Sequence, residues 1–166
     1  MVLDTITVHP EQPSNKYIIN CTARGRTYLD WIEDFKQDAD TSSAHVVGFN
    51  YRGIGNSTGS IISQEDIVDD IVAQVKHLMG KGAQPKDICL YGLCLGGGFA
   101  ALAAAKIKEE NIQVKVYLSR TFKRFDNVIT SLVLPRKHDS LPVYILKCIA
   151  LPVLVLIVMG YKLYSL

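Results

Sequence analysis

The sequence predicts an α/β fold in which a parallel β-sheet is covered by helices on both faces. Short apolar runs typical of buried strands alternate with stretches whose apolar residues recur at helical spacing. Glycine, proline and small polar residues lie at the junctions, where turns are needed. The chain has 166 residues, 48% of them hydrophobic and 20% charged, so it can bury one hydrophobic core.

Strands are predicted, in chain order, at residues 3–8, 17–21, 45–51, 88–93 and 114–118. A capping box of Thr27 and Asp30 opens the first helix, which is expected to end near Asp40. A second capping box, Ser63 with Asp66, opens the next helix, which is expected to end at a pair of glycines. Strands and helices alternating in this way indicate right-handed strand–helix–strand units.

Composition excludes several classes of function. The net charge of +2 gives no reason to expect a nucleic-acid partner. The four cysteines, Cys21, Cys89, Cys94 and Cys148, show neither the paired spacing of a metal site nor a secreted disulfide pattern. We therefore expect reduced thiols, no metal and no other cofactor. The first residues show no secretory signal, so the expected location is the cytoplasm.

One motif has the pattern of a catalytic turn. An apolar run leads into Gly92-Leu93-Cys94-Leu95-Gly96, and an alanine-rich helical stretch follows. This pattern is typical of a sharp strand-to-helix turn with a reactive side chain at its tip, which needs small residues on either side. The first turn of the following helix offers free N–H groups and a positive dipole end. Both favour a thiolate at Cys94 and an oxyanion beside it.

A second motif, Phe-Asn-Tyr-Arg-Gly-Ile-Gly-Asn-Ser-Thr-Gly, precedes this turn at residues 49–59. In this order the two motifs resemble the first half of the α/β-hydrolase family, over residues 1 to about 125. The turn at Cys94 is similar to the cysteine-type nucleophile elbow of dienelactone hydrolases. Residues 49–59 are similar to the loop after the family's fourth strand, where Gly53 and Gly55 would shape the rim of the site. Within the family, the sequences of these motifs resemble those of hydrolase-like proteins of intracellular bacteria such as Chlamydia and Legionella.

The resemblance implies a hydrolase of carboxylic esters or thioesters that acts on a small acyl substrate, with Cys94 as nucleophile. The N–H of Leu95 would bind the oxyanion, together with a second N–H from residues 23–25. This would place Arg24 and Gly25 at the substrate. The alternative for Arg24 is a solvated loop residue.

The family also implies an acid and a histidine after the nucleophile, and here the sequence departs from the family pattern. His138 is the only histidine after Cys94 and is the first candidate for the base, with an exposed loop residue as the alternative.

Three hypotheses about the function of the chain stay open. The chain is a Cys94-dependent hydrolase, a truncated and inactive hydrolase-like protein that acts by binding or at a membrane, or a redox-sensing thiol protein.

The carboxyl-terminal part of the chain is strongly apolar. Leu141 to Tyr161 is a run of 21 residues with a single charge, Lys147, which is long enough to cross a bilayer as a helix. The alternative is a hydrophobic lid. The predicted organisation is a hydrolase-like core at 1–130, a basic linker at 131–140, and a hydrophobic lid or transmembrane helix at 141–164. Basic residues before the run would keep the core in the cytoplasm.

Overall fold

The computed structural model describes residues 1–21 and 27–121, and Met1–Thr121 form one compact unit. The described strands are β1 (Thr5–Val8), β2 (Tyr17–Cys21), β3 (His45–Phe49), β4 (Ile88–Leu93) and β5 (Lys115–Ser119). The described α-helices are α1 (Ile32–Ser42), α2 (Gln64–Gly80) and α3 (Leu95–Glu109). Short 3-10 turns, Tyr28–Trp31 and Pro85–Asp87, lead into α1 and β4. The strands and helices predicted up to residue 118 are therefore present, with small shifts at their ends.

Side chains at the predicted capping boxes determine where two of these helical segments begin. The carboxylate of Asp66 accepts from the N–H of Ser63 at 2.9 Å, and the Ser63 hydroxyl accepts from the N–H of Asp66 at 3.4 Å. The carboxylate of Asp30 accepts from the N–H of Thr27 at 3.2 Å. These bonds satisfy N–H groups at or beside the helix start that have no partner inside the helix.

The strands form one sheet in the order β1-β3-β2-β4-β5. Strands β2, β3, β4 and β5 are parallel, whereas β1 is antiparallel to β3, so the predicted sheet is only mostly parallel. The reason lies in the connection from β1 to β2, residues 9–16, which contains no helix. A crossover between parallel strands needs about a dozen residues or more, so this short connection reverses the chain. We call the sheet edge at the carboxyl ends of the parallel strands the carboxyl edge, and the opposite one the amino edge.

Helices cover both faces of the sheet, as predicted. Neighbouring residues of β3 point to opposite faces. Val47 packs in the larger core with α2 and α3, which contribute Ile71, Val75 and Ile107 among others. Val46 packs in a smaller cluster with Phe35 and Ala39 of α1. α2 and α3 therefore lie on one face of the sheet, and α1 lies on the other.

Several predicted features lie outside the described residues. These are Arg24, Gly25, His138 and the apolar run 141–161 with its predicted hydrophobic helix. Among residues 1–21 and 27–121, no helix is long and apolar enough to cross a membrane.

Candidate active site

Cys94 lies at the tip of a sharp turn between β4 and α3. β4 ends at Leu93, and α3 begins at Leu95, so a single residue makes the connection. Cys94 has φ of 54° and ψ of −118°, in a region that favours glycine. A residue with a side chain is strained there by about 1–3 kcal/mol. The predicted strained turn is therefore present, and it holds the side chain of Cys94 exposed at the carboxyl edge.

Residues at and after the end of β5 hold the backbone of Cys94 in this conformation. The N–H of Cys94 donates to the carbonyl of Ser119 at 2.9 Å. The hydroxyl of Thr121 donates to the carbonyl of Cys94 at 2.9 Å, and the N–H of Gly97 reaches the same carbonyl at 3.2 Å. No pattern in the sequence indicates this role for Ser119 or Thr121. They reach the turn because β5 pairs in parallel with β4, with Leu93 opposite Ser119.

Close backbone packing explains the glycine on the strand side of the turn. A Cβ atom on Gly92 would lie 2.8 Å from the nitrogen of Gly97 and 2.9 Å from the carbonyl oxygen of Gly96. A Cβ atom on Gly97 would lie 2.5 Å from the Thr121 hydroxyl. Distances below about 3 Å are shorter than van der Waals contact allows, so α3 can approach β4 and β5 this closely only with glycine at both places. The need for a small residue at Gly92 was predicted from the sequence, whereas the need for glycine at Gly97 was not.

The first turn of α3 supplies hydrogen-bond donors beside Cys94. Leu95 is the first residue of the helix, and the N–H groups of a first turn have no partner inside the helix. The positive end of the helix dipole lies at the same place and favours negative charge there. This arrangement suits a developing oxyanion next to the sulfur atom.

The other cysteines of the described residues are less accessible. Cys94 is exposed, whereas Cys21 is buried and Cys89 is partly buried. Burial raises the pKa of the Cys89 thiol, an effect that the charge of Lys115 and a backbone hydrogen bond from Tyr117 partly offset. Burial also raises the pKa of the Cys21 thiol. Both groups therefore favour the neutral thiol, which is the unreactive form.

We expect iodoacetamide to alkylate Cys94 at least about tenfold faster than Cys89 near neutral pH, because Cys94 is exposed at a helix amino terminus. Mass spectrometry of peptides from timed samples measures the rate at each cysteine separately. The control is the same reaction in concentrated urea, where the two rates should converge. Equal rates in the folded protein would contradict the elbow geometry.

The glycine-rich second motif is held in place by an ion-pair network. The Arg52 guanidinium donates to the buried carboxylate of Asp70 at 2.8 and 2.9 Å and also bonds to Asp66. The N–H of Arg52 donates to the second oxygen of Asp70 at 2.8 Å. These bonds tie the loop after β3 to α2. Gly53 and Gly55 adopt φ of 73° and 57°, which allows the loop to turn at the carboxyl edge.

The histidines of the described residues lie far from Cys94. His45 begins β3, and His9 directly follows β1, the antiparallel neighbour of β3. His77 lies in the last turn of α2, shortly before the chain enters β4. All three are therefore near the amino edge, and strands of this length separate the edges by roughly 15–20 Å. None of them can act as the base for Cys94, and His138 lies outside the described residues.

Comparison with protein families identifies a matching family. A family model described as Chlamydia CHLPS protein (DUF818) matches residues 14–117. This range runs from the segment before β2 into β5 and includes both sequence motifs. No curated protein matches the sequence.

Solved structures similar to this chain have the α/β-hydrolase fold. An α/β serine hydrolase without a lid from Xanthomonas campestris is 24% identical, with a TM-score of 0.53 over 64% of this chain and 51% of its own. A bacterial heroin esterase is 18% identical, with a TM-score of 0.59 over 87% and 48%. A monoacylglycerol lipase from Paleococcus ferrophilus is 18% identical, with a TM-score of 0.57 over 90% and 51%. The chain spans about half the length of these structures. It has part of the α/β-hydrolase fold.

Proposed function

This chain belongs to the Chlamydia CHLPS protein family (DUF818), and from its elbow we propose that it hydrolyses carboxylic esters or thioesters with Cys94 as the nucleophile. The observation that carries the proposal is the backbone conformation of Cys94, φ 54° and ψ −118°, at an exposed turn directly before α3. Strain of this kind needs support from the surrounding structure, and Ser119, Thr121 and Gly97 provide it. The fold of esterases and lipases among the similar structures supports the same class of reaction.

The reaction would proceed in two steps. The Cys94 thiolate attacks the carbonyl carbon, a sulfur–carbon bond forms, and the carbonyl electron pair moves to oxygen, which the N–H of Leu95 stabilises. When the tetrahedral intermediate collapses, the alcohol or thiol leaves and takes up the proton that Cys94 released when it formed the thiolate. Water then attacks the thioester of the acyl-enzyme, which restores the thiol and releases the acid. We assign deprotonation of that water to His138, and contact with the small acyl substrate to Arg24 and Gly25.

A second function is favoured by the position of the described histidines. Because His9, His45 and His77 all lie near the amino edge, catalysis with a histidine base would depend on a residue outside the described ones. A hydrolase-like protein that is catalytically inactive, and acts by binding or at a membrane, accounts for this arrangement.

In either case we propose the organisation given above: a core at 1–130, a linker at 131–140 and a hydrophobic segment at 141–164. The location would be cytoplasmic, or at a membrane through residues 141–161.

Hydrolysis of a series of short-chain p-nitrophenyl esters by the full chain tests the proposal. We expect multiple turnovers, and a loss of at least about a thousandfold in Cys94→Ala, because removal of a nucleophile abolishes the covalent route. Cys89→Ser is the matched control, since this thiol is partly buried and lies on β4 away from the turn tip. It should keep its activity.

Two results would contradict hydrolysis in different ways. A single burst of p-nitrophenol without turnover, absent in Cys94→Ala, would mean that the elbow is acylated but lacks a base. That result favours the inactive, binding function. Turnover that Cys94→Ala retains would remove Cys94 from the mechanism.

If the chain turns over p-nitrophenyl esters and Cys94→Ala does not, His138→Gln should lower turnover without lowering the burst.

A further inference from the structure

Two histidines that are 36 positions apart in sequence meet at the amino edge. Their Nδ1 atoms are 2.9 Å apart, and their rings are nearly perpendicular with centroids 4.9 Å apart. In the antiparallel pairing of β1 with β3, Val8 lies opposite Val46, so the next pair along the ladder is His9 opposite His45. Cβ atoms of directly opposed residues are about 4.5–5.5 Å apart. Two imidazole rings on such a pair can therefore bind the same ion.

The surroundings of His45 determine which of its nitrogens has a free lone pair. Its Nε2 atom lies 2.8 Å from the carbonyl oxygen of Ser14. A carbonyl oxygen can only accept, so Nε2 must carry the proton. In the neutral ring, Nδ1 then has the lone pair, and it points at His9. Histidine ligands of metal ions usually donate their second nitrogen to a carbonyl or carboxylate in this way, which sets the ring orientation and increases its basicity.

Further contacts hold the ring of His45 before any ion binds. Tyr17 packs against it with ring centroids 4.8 Å apart, and the N–H of His45 donates to the carbonyl of Lys16 at 2.8 Å. The hydroxyl of Ser14 donates to the carbonyl of Ser43 at 2.6 Å, which secures the segment that carries the Ser14 carbonyl. One of the two ligands is thus pre-organised, which lowers the cost of binding.

The spacing of the two nitrogens fits a small divalent cation. Zinc binds histidine nitrogen at about 2.0–2.1 Å in tetrahedral geometry, so two such nitrogens are roughly 3.3 Å apart. The observed 2.9 Å therefore needs to widen by only a few tenths of an ångström. His9 is exposed and can move by this amount. Imidazole ligands suit zinc, copper and nickel, and do not suit magnesium or calcium.

The electrostatic environment favours a cation. α1 ends at Ser42, shortly before His45, so the negative end of the α1 dipole lies at the amino edge, near the two histidines. Asp40, in the last turn of α1, accepts from the N–H of Glu11 at 3.2 Å and so lies against the segment that carries His9.

Residues 1–21 and 27–121 contain no group of three or more histidine, cysteine or acidic side chains that could hold a metal ion. Water would therefore complete the coordination.

We propose that His9 and His45 form a two-histidine site for a transition-metal cation of the zinc class. The site lies at the edge opposite Cys94 and would join the end of β1 to the start of β3, so it has no part in the proposed hydrolysis. It also departs from the expectation of no metal. That expectation was based on the cysteine spacing, and a cross-strand histidine pair leaves no local pattern in the sequence.

Calorimetric titration of the full chain with Zn²⁺, in a phosphine reductant that keeps the thiols reduced, tests this site. We expect one Zn²⁺ to bind through the pair, with affinity for this ion lowered at least about tenfold in both His9→Gln and His45→Gln. Loss of an outer partner of a metal ligand already costs about 10–100-fold, and loss of a ligand should cost no less. His77→Gln is the matched control, because His77 is exposed on α2 and should leave the affinity unchanged.

A second measurement separates this site from binding at thiols. Zn²⁺ should raise the melting temperature of Cys94→Ser as it does that of the unmodified chain, and should not raise that of His9→Gln. The proposal is overturned if His9→Gln and His45→Gln bind Zn²⁺ as tightly as the unmodified chain. It is also overturned if the unmodified chain binds no Zn²⁺, in which case the two rings form only a hydrogen bond between neutral imidazoles.

Discussion

Gly92→Ala is expected to destabilise the protein by about 1–3 kcal/mol or more and to slow alkylation of Cys94. The added methyl group would overlap the nitrogen and Cα of Gly97 and the carbonyl oxygen of Gly96. These are backbone atoms, so no side-chain rotation relieves the overlap and α3 must move away from β4. Because the first turn of α3 holds Cys94 and the proposed oxyanion donor Leu95, the elbow should open as the helix moves. Urea unfolding and the iodoacetamide rate at Cys94 measure the two effects.

Gly98→Ala is the matched control for this prediction. A Cβ atom on Gly98 would meet no atom within 4 Å, although Gly98 lies on the same helix only one residue after Gly97. Alanine favours the helical conformation over glycine by about 0.5–1 kcal/mol, so this variant should be as stable as the original chain or slightly more so. If both variants lost stability equally, the loss would reflect a general sensitivity of α3 and not close contact at Gly92.

Arg52→Ala is expected to cost about 3–5 kcal/mol of stability, because it leaves the buried carboxylate of Asp70 without its partner. Asp70 is 0% exposed, and both Nε and a terminal nitrogen of Arg52 bond to its Oδ1 atom. Within residues 1–21 and 27–121, the backbone N–H of residue 52 would be the one remaining donor to this carboxylate. The loop after β3 would lose its bonds to α2 at the same time. Urea unfolding measures the loss of stability. Arg52→Lys should recover only part of it, since a lysine ammonium lacks the planar guanidinium that donates two hydrogen bonds to Asp70.

The control is a solvent-exposed ion pair between α3 and α2, the helix that also carries Asp70. Lys106 bonds to Asp69 at 2.7 Å, with side chains 40% and 47% exposed. Exposed pairs of this kind contribute little because water screens their charges, so Lys106→Ala should show little or no measurable change in stability. Similar losses in Lys106→Ala and Arg52→Ala would contradict the argument that burial of Asp70 makes the difference.

Features that depend on a few neighbouring residues were predictable from the sequence. The Ser63–Asp66 capping box and the apolar periodicity of α2 are local, and the predicted helix is present. The Gly-x-Cys-x-Gly pattern predicted a sharp turn, and Cys94 has the strained φ that such a turn requires. These predictions succeed because backbone conformation and the choice of buried face are decided within one or two turns of chain.

Contacts between distant segments were not predictable in the same way. The antiparallel direction of β1, the bonds from Ser119 and Thr121 to Cys94, and the meeting of His9 with His45 all depend on which strands become neighbours and in which register. No residue near Thr121 in sequence indicates that its hydroxyl will reach the carbonyl of Cys94. Local sequence thus specified the strands, the helices and the reactive turn. Strand pairing and packing across the sheet decided which distant groups support that turn, because these choices minimise the free energy of the whole core and not of any one segment.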